Sequence, residues 1–241
     1  MPRSRNNSTL AFCIGVSIFG LLLVIVWTIN PPISDNFSWR KPLIGSLFSL
    51  ICILGVFAAL SPNRCSEALH FREAVRTTTT DQILSASHHP NCERFSAHVI
   101  HLKERVLCAA CTGLLLGAVV ALVGAFFYFF GGWQIESVRL LLVLIGLFGL
   151  LAGFLQLRFR GLVRLTANSL FVLGAFLCLV GVDQASQNVA IDLFLVILII
   201  FWILTRIQLS RWDHSRICDN CDSPCRSERT RKDKARIDDA L

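Results

Sequence analysis

Long apolar runs separated by short polar stretches set the pattern of this chain. A membrane-spanning helix needs about 20 mostly apolar residues. Runs that meet or approach this length, none with an ionisable residue near its centre, cover residues 10–29, 43–60, 106–130, 138–157, 162–182 and 191–207. The pattern predicts an all-α, polytopic membrane protein with six transmembrane helices.

These runs divide the chain into four regions. Residues 1–60 contain the first two spans, 61–105 form a loop, 106–207 form a four-helix transmembrane region, and 208–241 form a basic tail. No small-residue cleavage site follows the first run, so we expect it to remain as a membrane anchor. Composition agrees, because 16% of the 241 residues are charged, against about 25% in soluble domains.

The distribution of Lys and Arg residues predicts the orientation. With six spans, three of the 23 basic residues fall on one side of the membrane (Arg40, Lys41 and Arg139) and the other 20 on the side of both termini. Basic residues accumulate on the cytoplasmic side of membrane proteins. We therefore expect both termini to be cytoplasmic in a multi-pass protein of the cell membrane. The net charge of +7 then indicates contact with anionic lipid headgroups rather than with nucleic acid.

Cysteine and histidine residues follow the same division. Cys13, Cys52 and Cys178 lie inside spans, whereas the other seven of the ten cysteines and all six histidines lie on the predicted cytoplasmic side or at its boundary. Structural disulfides are rare in a reducing compartment. Clustered Cys and His residues on that side indicate metal binding or redox chemistry instead.

A cluster of metal-ligand residues leads into the third span. Cys108 and Cys111 are three residues apart at the expected start of the helix, a spacing that lets two thiolates bind one tetrahedral zinc ion. We expect residues 95–107 to lead into this span as one helix, unless the helix breaks near the membrane surface. Such a helix would hold His101 about 10.5 Å from Cys108, too far apart to share one metal. The predicted zinc site therefore joins the two cysteines to donors that precede the helix: His88 or His89, and Cys92.

The tail carries a second set of thiolates. Cys218, Cys221 and Cys225 follow His214 at spacings that also suit zinc. An iron–sulfur cluster is the weaker interpretation, because a cubane needs four thiolates. These cysteines could complete the loop site or form a site of their own, and the spacing leaves both open.

One segment of the chain resembles a known motif. Cys108-Ala-Ala-Cys111-Thr-Gly113, with Gly117 four residues on, resembles the Cys-x-Arg-Cys-x-Gly-x-x-x-Gly element of an uncharacterised family of predicted polytopic membrane proteins, a domain of unknown function. The resemblance covers roughly 30 residues. It implies a membrane protein with a Cys/His motif typical of metal binding, and it implies no particular activity.

The upstream half of that motif matches less closely. His88-His89 falls where the family has Cys-His, and Glu93-Arg94 matches its Glu-Arg pair. The departures from the family pattern are His88 for the first cysteine, Cys92 for a proline, and Ala110 for the arginine between the two later cysteines.

Small residues recur at helical spacing on two neighbouring spans. Such residues let helices approach closely in lipid, where no hydrophobic force drives them together. They are Gly113, Gly117 and Ala121 on the third span, and Gly146, Gly149 and Gly153 on the fourth. Ordinary span composition is the alternative to a contact between the third and fourth spans.

These observations support a membrane protein whose cytoplasmic zinc site holds the loop and the tail at the span mouths, where either segment could also meet a protein partner. The alternative is a membrane-embedded metal- or thiol-dependent enzyme at the lipid interface, for which the sequence identifies no catalytic residue. A metal or ion transporter is disfavoured, because transport paths usually place ionisable residues within spans.

Overall fold

The computed structural model describes residues 3–31, 37–60, 99–102, 105–133 and 138–219 of the chain. Within these ranges the side chains at 3–7, 99, 101–102, 105–106, 214–215 and 217–219 are not described. The elements are α1 (Arg3–Ile29), α2 (Arg40–Leu60), β1 (Val99–Leu102), β2 (Arg105–Cys108), α3 (Ala109–Ala125, continued by a π-helical turn Phe126–Phe130), α4 (Arg139–Phe154, followed by a 3-10 turn Leu155–Arg158), α5 (Gly161–Ser186) and α6 (Val189–Asp219).

Six helices in the described part of the chain are long and apolar enough to cross a membrane. Their most apolar windows have mean hydropathies between 2.1 and 2.7. This confirms the prediction of an all-α, multi-pass helical protein. The last helix is longer than predicted: its candidate span runs from Val189 to Asp213, and the helix continues to Asp219.

Consecutive helices run in opposite directions, which gives the bundle two distinct ends. One end is called the terminal face because α1 begins there and α6 ends there. It also contains the start of α3 and the α4–α5 connection, and in it Arg164 pairs with Asp213. The opposite face holds the start of α2, the end of α3 and the α5–α6 connection. There Arg40 of α2 pairs with Asp183 of α5 and Asp192 of α6.

Helix α5 lies at the centre of the bundle. In its most apolar window 61% of the residues are buried, compared with 22% in each of α1 and α2. Helices α3 and α4 both pack on it with glycines at the contact. A Cβ atom at Gly117 of α3 would lie 2.7 Å from the carbonyl oxygen of Ser169, and one at Gly149 of α4 would lie 2.5 Å from that of Leu170.

Both stripes of small residues therefore contact α5 rather than each other. A Cβ atom at Gly113 would meet the Leu165 carbonyl, while one at Gly146 would meet the Gly174 carbonyl on a different side of the same helix. The predicted contact between the third and fourth spans is wrong in its choice of partner. A small-residue stripe shows that a helix surface is closely packed, but it does not identify the neighbour.

Polar contacts reinforce the packing in the membrane-spanning region. The Ser17 hydroxyl donates to the Thr205 hydroxyl at 3.0 Å, and the indole N–H of Trp202 donates to the Ser17 carbonyl at 3.4 Å. Ser169 donates to the Gly113 carbonyl at 2.8 Å. These bonds join α1 to α6 and α5 to α3, where lipid offers no competing water.

A β-hairpin precedes the third span. Strands β1 and β2 pair antiparallel, with Val99 opposite Cys108 and His101 opposite Val106. The predicted helix over residues 95–107 is therefore wrong at 99–102 and 105–107, whereas residues 95–98 lie outside the described part. The segment contains Val99, Ile100 and Val106, and β-branched residues favour strands.

The close contact between α4 and α5 predicts that a methyl group added at a contact glycine destabilises the protein. In Gly174→Ala the new Cβ would lie 2.5 Å from the Gly146 carbonyl oxygen and 2.8 Å from the Leu150 nitrogen. Because these are backbone atoms of α4, we expect a loss of about 1–3 kcal/mol in stability. This loss would lower the melting temperature in detergent by several degrees, at about 2–4 °C for each kcal/mol.

Gly55→Ala is the matched control, since a Cβ atom there meets nothing within 4 Å. Alanine is the better helix former, so this variant should melt at or above the wild-type temperature. Equal destabilisation by both substitutions would contradict the proposed α4–α5 contact.

Candidate functional site

Charged side chains are buried together at the opposite face. Asp183 and Asp192 are fully buried, and Arg40 is nearly so. The short α5–α6 connection brings the two carboxylates together. Gln187 adopts a left-handed conformation that ends α5. The Asn188 carboxamide oxygen then accepts from the backbone N–H groups of Ala190 and Ile191, which caps the start of α6.

The guanidinium of Arg40 joins the two carboxylates. Its Nη1 atom donates to Oδ1 of Asp183 and, at 2.7 Å, to Oδ2 of Asp192. The Tyr128 hydroxyl, in the π-helical turn at the end of α3, donates to Oδ2 of Asp183. This arrangement, hereafter the Arg40 cluster (Arg40, Asp183, Asp192 and Tyr128), connects α2, α3, α5 and α6.

The carboxylates of the Arg40 cluster are not equally satisfied. Both oxygens of Asp183 accept hydrogen bonds, one from Arg40 and one from Tyr128. Asp192 accepts from Arg40 through Oδ2, but its buried Oδ1 has no hydrogen-bond partner among the described residues. An unpaired polar atom in a buried position is costly, so Asp192 Oδ1 is the least satisfied carboxylate oxygen of the cluster.

A second buried cation lies near the terminal face. Arg206 of α6 donates to the Asn168 carboxamide oxygen and, at 3.1 Å, to that of Gln156. Its guanidinium carbon lies 5.8 Å from the centre of the Phe171 ring, within cation–π range. These contacts fix α6 against α5 and the turn that follows α4.

The terminal face also brings the end of α6 near the start of α3. Nη2 of Arg164 lies 3.8 Å from a carboxylate oxygen of Asp213. Gly113, in the second turn of α3, packs against the residue that follows Arg164 in α5. Cys108 ends β2 and is the residue immediately before α3, and Cys111 follows in the first turn of α3. Both cysteines are half-buried thiols in this structure.

The predicted zinc ligands are only partly covered by the structure. His88, His89, Cys92, Cys221 and Cys225 lie outside the described residues, and Cys218 is described only in its backbone, within α6. Among the described residues, no three His, Cys, Asp or Glu side chains are placed to hold a metal ion. The zinc site therefore stays a prediction.

The hairpin changes the argument about His101. Its exclusion as a ligand required an unbroken helix between residues 101 and 108. In the observed register Val99 is opposite Cys108, so His101 and Cys108 are diagonal neighbours, with Cα atoms about 7–8 Å apart. The distance argument against His101 is therefore wrong, and His101 joins His88 and His89 as a possible histidine donor.

The sequence interpretation missed the buried charges. Arg40 was used only to orient the spans, and the buried Asp183 and Asp192 received no role. The sequence showed no ionisable residue near the centre of a span, yet five charged residues of membrane-length helices are buried: Arg40, Arg164, Asp183, Asp192 and Arg206. A usable signal was present: Asp183 and Asp192 closely flank a short polar break between two apolar runs.

Comparison with known proteins does not assign the chain to a family. No protein-family model matches the chain, and no curated protein or solved structure matches it. The resemblance around Cys108 and Cys111 therefore depends on the motif alone.

The Arg40 cluster predicts a large effect of removing its cation. Arg40→Gln would leave two buried carboxylates without a positive partner. Breaking a buried ion pair from one side costs about 3–5 kcal/mol, so we expect strong destabilisation in a thermal unfolding assay in detergent.

Arg139→Gln is the control, because Arg139 lies at the same end of the bundle with an exposed side chain. This variant should melt within a few degrees of wild type. Restored stability in the triple variant Arg40→Gln, Asp183→Asn, Asp192→Asn would assign the loss to uncompensated charge. A wild-type melting temperature for Arg40→Gln alone would contradict the cluster.

Proposed function

We propose that this chain is a multi-pass integral membrane protein whose terminal face carries a structural zinc site. The site would tie the loop of residues 61–105 and the tail of residues 208–241 to the helix ends. The observation that carries the proposal is that the start of α5 contacts both segments: Arg164 pairs with Asp213 near the end of α6, and the next residue packs against Gly113 near the start of α3.

This arrangement favours one shared site over two separate ones. Cys218 follows Asp213 by five residues in the same helix, a rise of about 7.5 Å. The tail thiolates therefore begin about one and a half helical turns after the residue of α6 that pairs with Arg164. In the proposed site Cys108 and Cys111 supply two thiolates, and the remaining ligands come from Cys218, Cys221, Cys225, Cys92 and a histidine among His88, His89 and His101.

Thiolates mixed with histidine favour zinc over hard cations. Four protein ligands would make the zinc structural, whereas three ligands and a water would make it catalytic. The surplus of donor residues favours a closed, four-ligand site. X-ray absorption at the bound metal distinguishes this site from the alternative, a metal-dependent enzyme at the lipid interface, by the number of sulfur and nitrogen ligands.

We further propose that the terminal face is cytoplasmic and contacts anionic lipid headgroups. Its exposed basic side chains support this orientation, since basic residues collect on the cytoplasmic side and are attracted to anionic lipids there. They are Arg158, Arg160, Arg211 and Arg216. The loop and the tail would extend from the same face and could present a partner-binding surface.

The zinc proposal predicts that the metal depends on both chain segments. Wild-type protein should bind about one zinc ion per chain if the site is shared, and about two if the loop and the tail bind zinc separately. Cys108→Ser with Cys111→Ser should lower that content and speed proteolysis of the loop, because metal binding and local folding share one free energy. Zinc stoichiometry and limited proteolysis of purified protein measure the two effects.

Cys218→Ser distinguishes one site from two. With a shared site it should also speed proteolysis of the loop, whereas with separate sites it should leave the loop unchanged. Cys13→Ser is the control, since Cys13 lies within the α1 span and should not affect zinc. No zinc in the wild type, or equal zinc in wild type and the Cys108/Cys111 double variant, would sink the site.

The orientation predicts a difference in labelling between the two faces. A membrane-impermeant thiol reagent should not label wild-type Cys225 in intact cells, and should label it after permeabilisation and removal of zinc with a chelator. Ser38→Cys places a thiol at an exposed position just before α2, on the opposite face, and should be labelled in intact cells. Labelling of Cys225 from outside would reverse the orientation.

A further inference from the structure

We propose that the Arg40 cluster is a binding site for a single proton, held on Asp192 at Oδ1. This inference concerns the opposite face of the bundle and is independent of the zinc proposal. It assigns a ligand to the one buried carboxylate oxygen of the cluster that has no partner among the described residues.

The charges within the Arg40 cluster do not balance. The cluster contains one guanidinium and two carboxylates, and the side chains of both aspartates are fully buried. With both carboxylates ionised, the cluster would hold a net charge of −1 beside apolar helices. A buried uncompensated charge is strongly unfavourable, and one bound proton removes it.

Neighbouring groups do not supply the missing positive charge. On α2, the Lys41 ammonium lies over the Tyr128 ring, 4.9 Å from its centre, and no salt bridge joins Lys41 to a carboxylate among the described residues. On α4, Arg139 is exposed. On α1, the buried Thr28 hydroxyl donates within its own helix to Val24, and on α5, Gln184 is neutral.

Hydrogen bonding selects the aspartate that takes the proton. Asp183 accepts at both oxygens, from Arg40 and from Tyr128, and these bonds favour its ionised form. Asp192 accepts only from Arg40 and keeps one oxygen open. Protonation at this oxygen disrupts no hydrogen bond seen in the structure.

The number of available oxygens favours a proton over a metal cation. Hard cations such as calcium require six or more oxygen ligands, and magnesium requires an octahedron. In the described part of the cluster, one carboxylate oxygen is unpartnered. A proton needs a single lone pair, so it fits where a metal ion would lack ligands.

Proton binding is thereby linked to the contact between helix ends. The Arg40 bonds hold the start of α2 against the end of α5 and the start of α6. With the proton bound, the cluster is neutral and this contact is stable. Loss of the proton restores the net negative charge, which favours water entry and separation of the two carboxylates.

Infrared difference spectroscopy of the full chain tests the site. The protein is studied in a detergent without carbonyl groups, and the probe is the carbonyl stretch of a protonated carboxylic acid at neutral pH. Exposed Asp and Glu have ordinary pKa values of about 4, so they are ionised and silent under these conditions. We expect an acid band in the wild type that disappears as the pH is raised.

Two single substitutions each remove the need for the proton. Asp192→Asn and Asp183→Asn both leave one carboxylate for one guanidinium, so each should abolish the neutral-pH band while preserving shape. Asp213→Asn, at the terminal face, should retain the band. Thermal melting supplies a second readout: wild-type stability should fall as the pH rises through proton release, whereas that of Asp192→Asn should not.

Several spectroscopic results would contradict proton binding at Asp192. Absence of an acid band in the wild type at neutral and mildly acidic pH would overturn it without any variant. Persistence of the band in either the Asp183 or the Asp192 variant, or its loss in Asp213→Asn alone, would also overturn it. Because the wild-type spectrum is informative alone, a variant that fails to fold leaves the proposal testable.

Discussion

Glycines at the contacts between helix α5 and its neighbours α3 and α4 let the helix backbones lie in van der Waals contact. In lipid, where apolar side chains gain nothing by leaving their solvent, such contact supplies dispersion energy that larger side chains would prevent. The position of α5 in turn determines both polar regions. Its last turn carries Asp183 to the opposite face, while Arg164 and Asn168 near its start meet α6 at the terminal face.

The spans were predictable from sequence because their signal is local. Whether a run of residues can cross a bilayer depends on its own length and apolarity, and the described part of the chain contains six such helices. The packing partners depend on the assembled bundle, so the stripe at Gly113 and Gly117 could not reveal that α5 is its neighbour. The hairpin was missed because Val99, Leu102 and Val106 recur at three- and four-residue intervals, which is the spacing of a helix face. The β-branched residues of the same segment favour strands equally well.

The candidate sites divide in the same way. Cys108 and Cys111 stood out because their meaning lies in close spacing along the chain. Arg40 and Asp183 did not, because they are 143 residues apart and each resembles an ordinary residue flanking a span. They are buried because α2 packs beside the α5–α6 connection and because Gln187 and Asn188 form a tight turn there. Neither arrangement can be inferred from a short stretch of sequence.

The long separation within the Arg40 cluster has a consequence for biosynthesis. A ribosome completes α2 well before the two aspartates, which follow Arg40 by 143 and 152 residues. Throughout that interval the guanidinium lacks its carboxylates and must remain hydrated among lipid headgroups. Arrival of the α5–α6 hairpin both supplies the counter-charges and expels that water. Membrane insertion of this protein therefore ends with a step that pairs this arginine with its counter-charges, and a nascent chain stalled before Asp183 would retain an exposed, unpaired arginine.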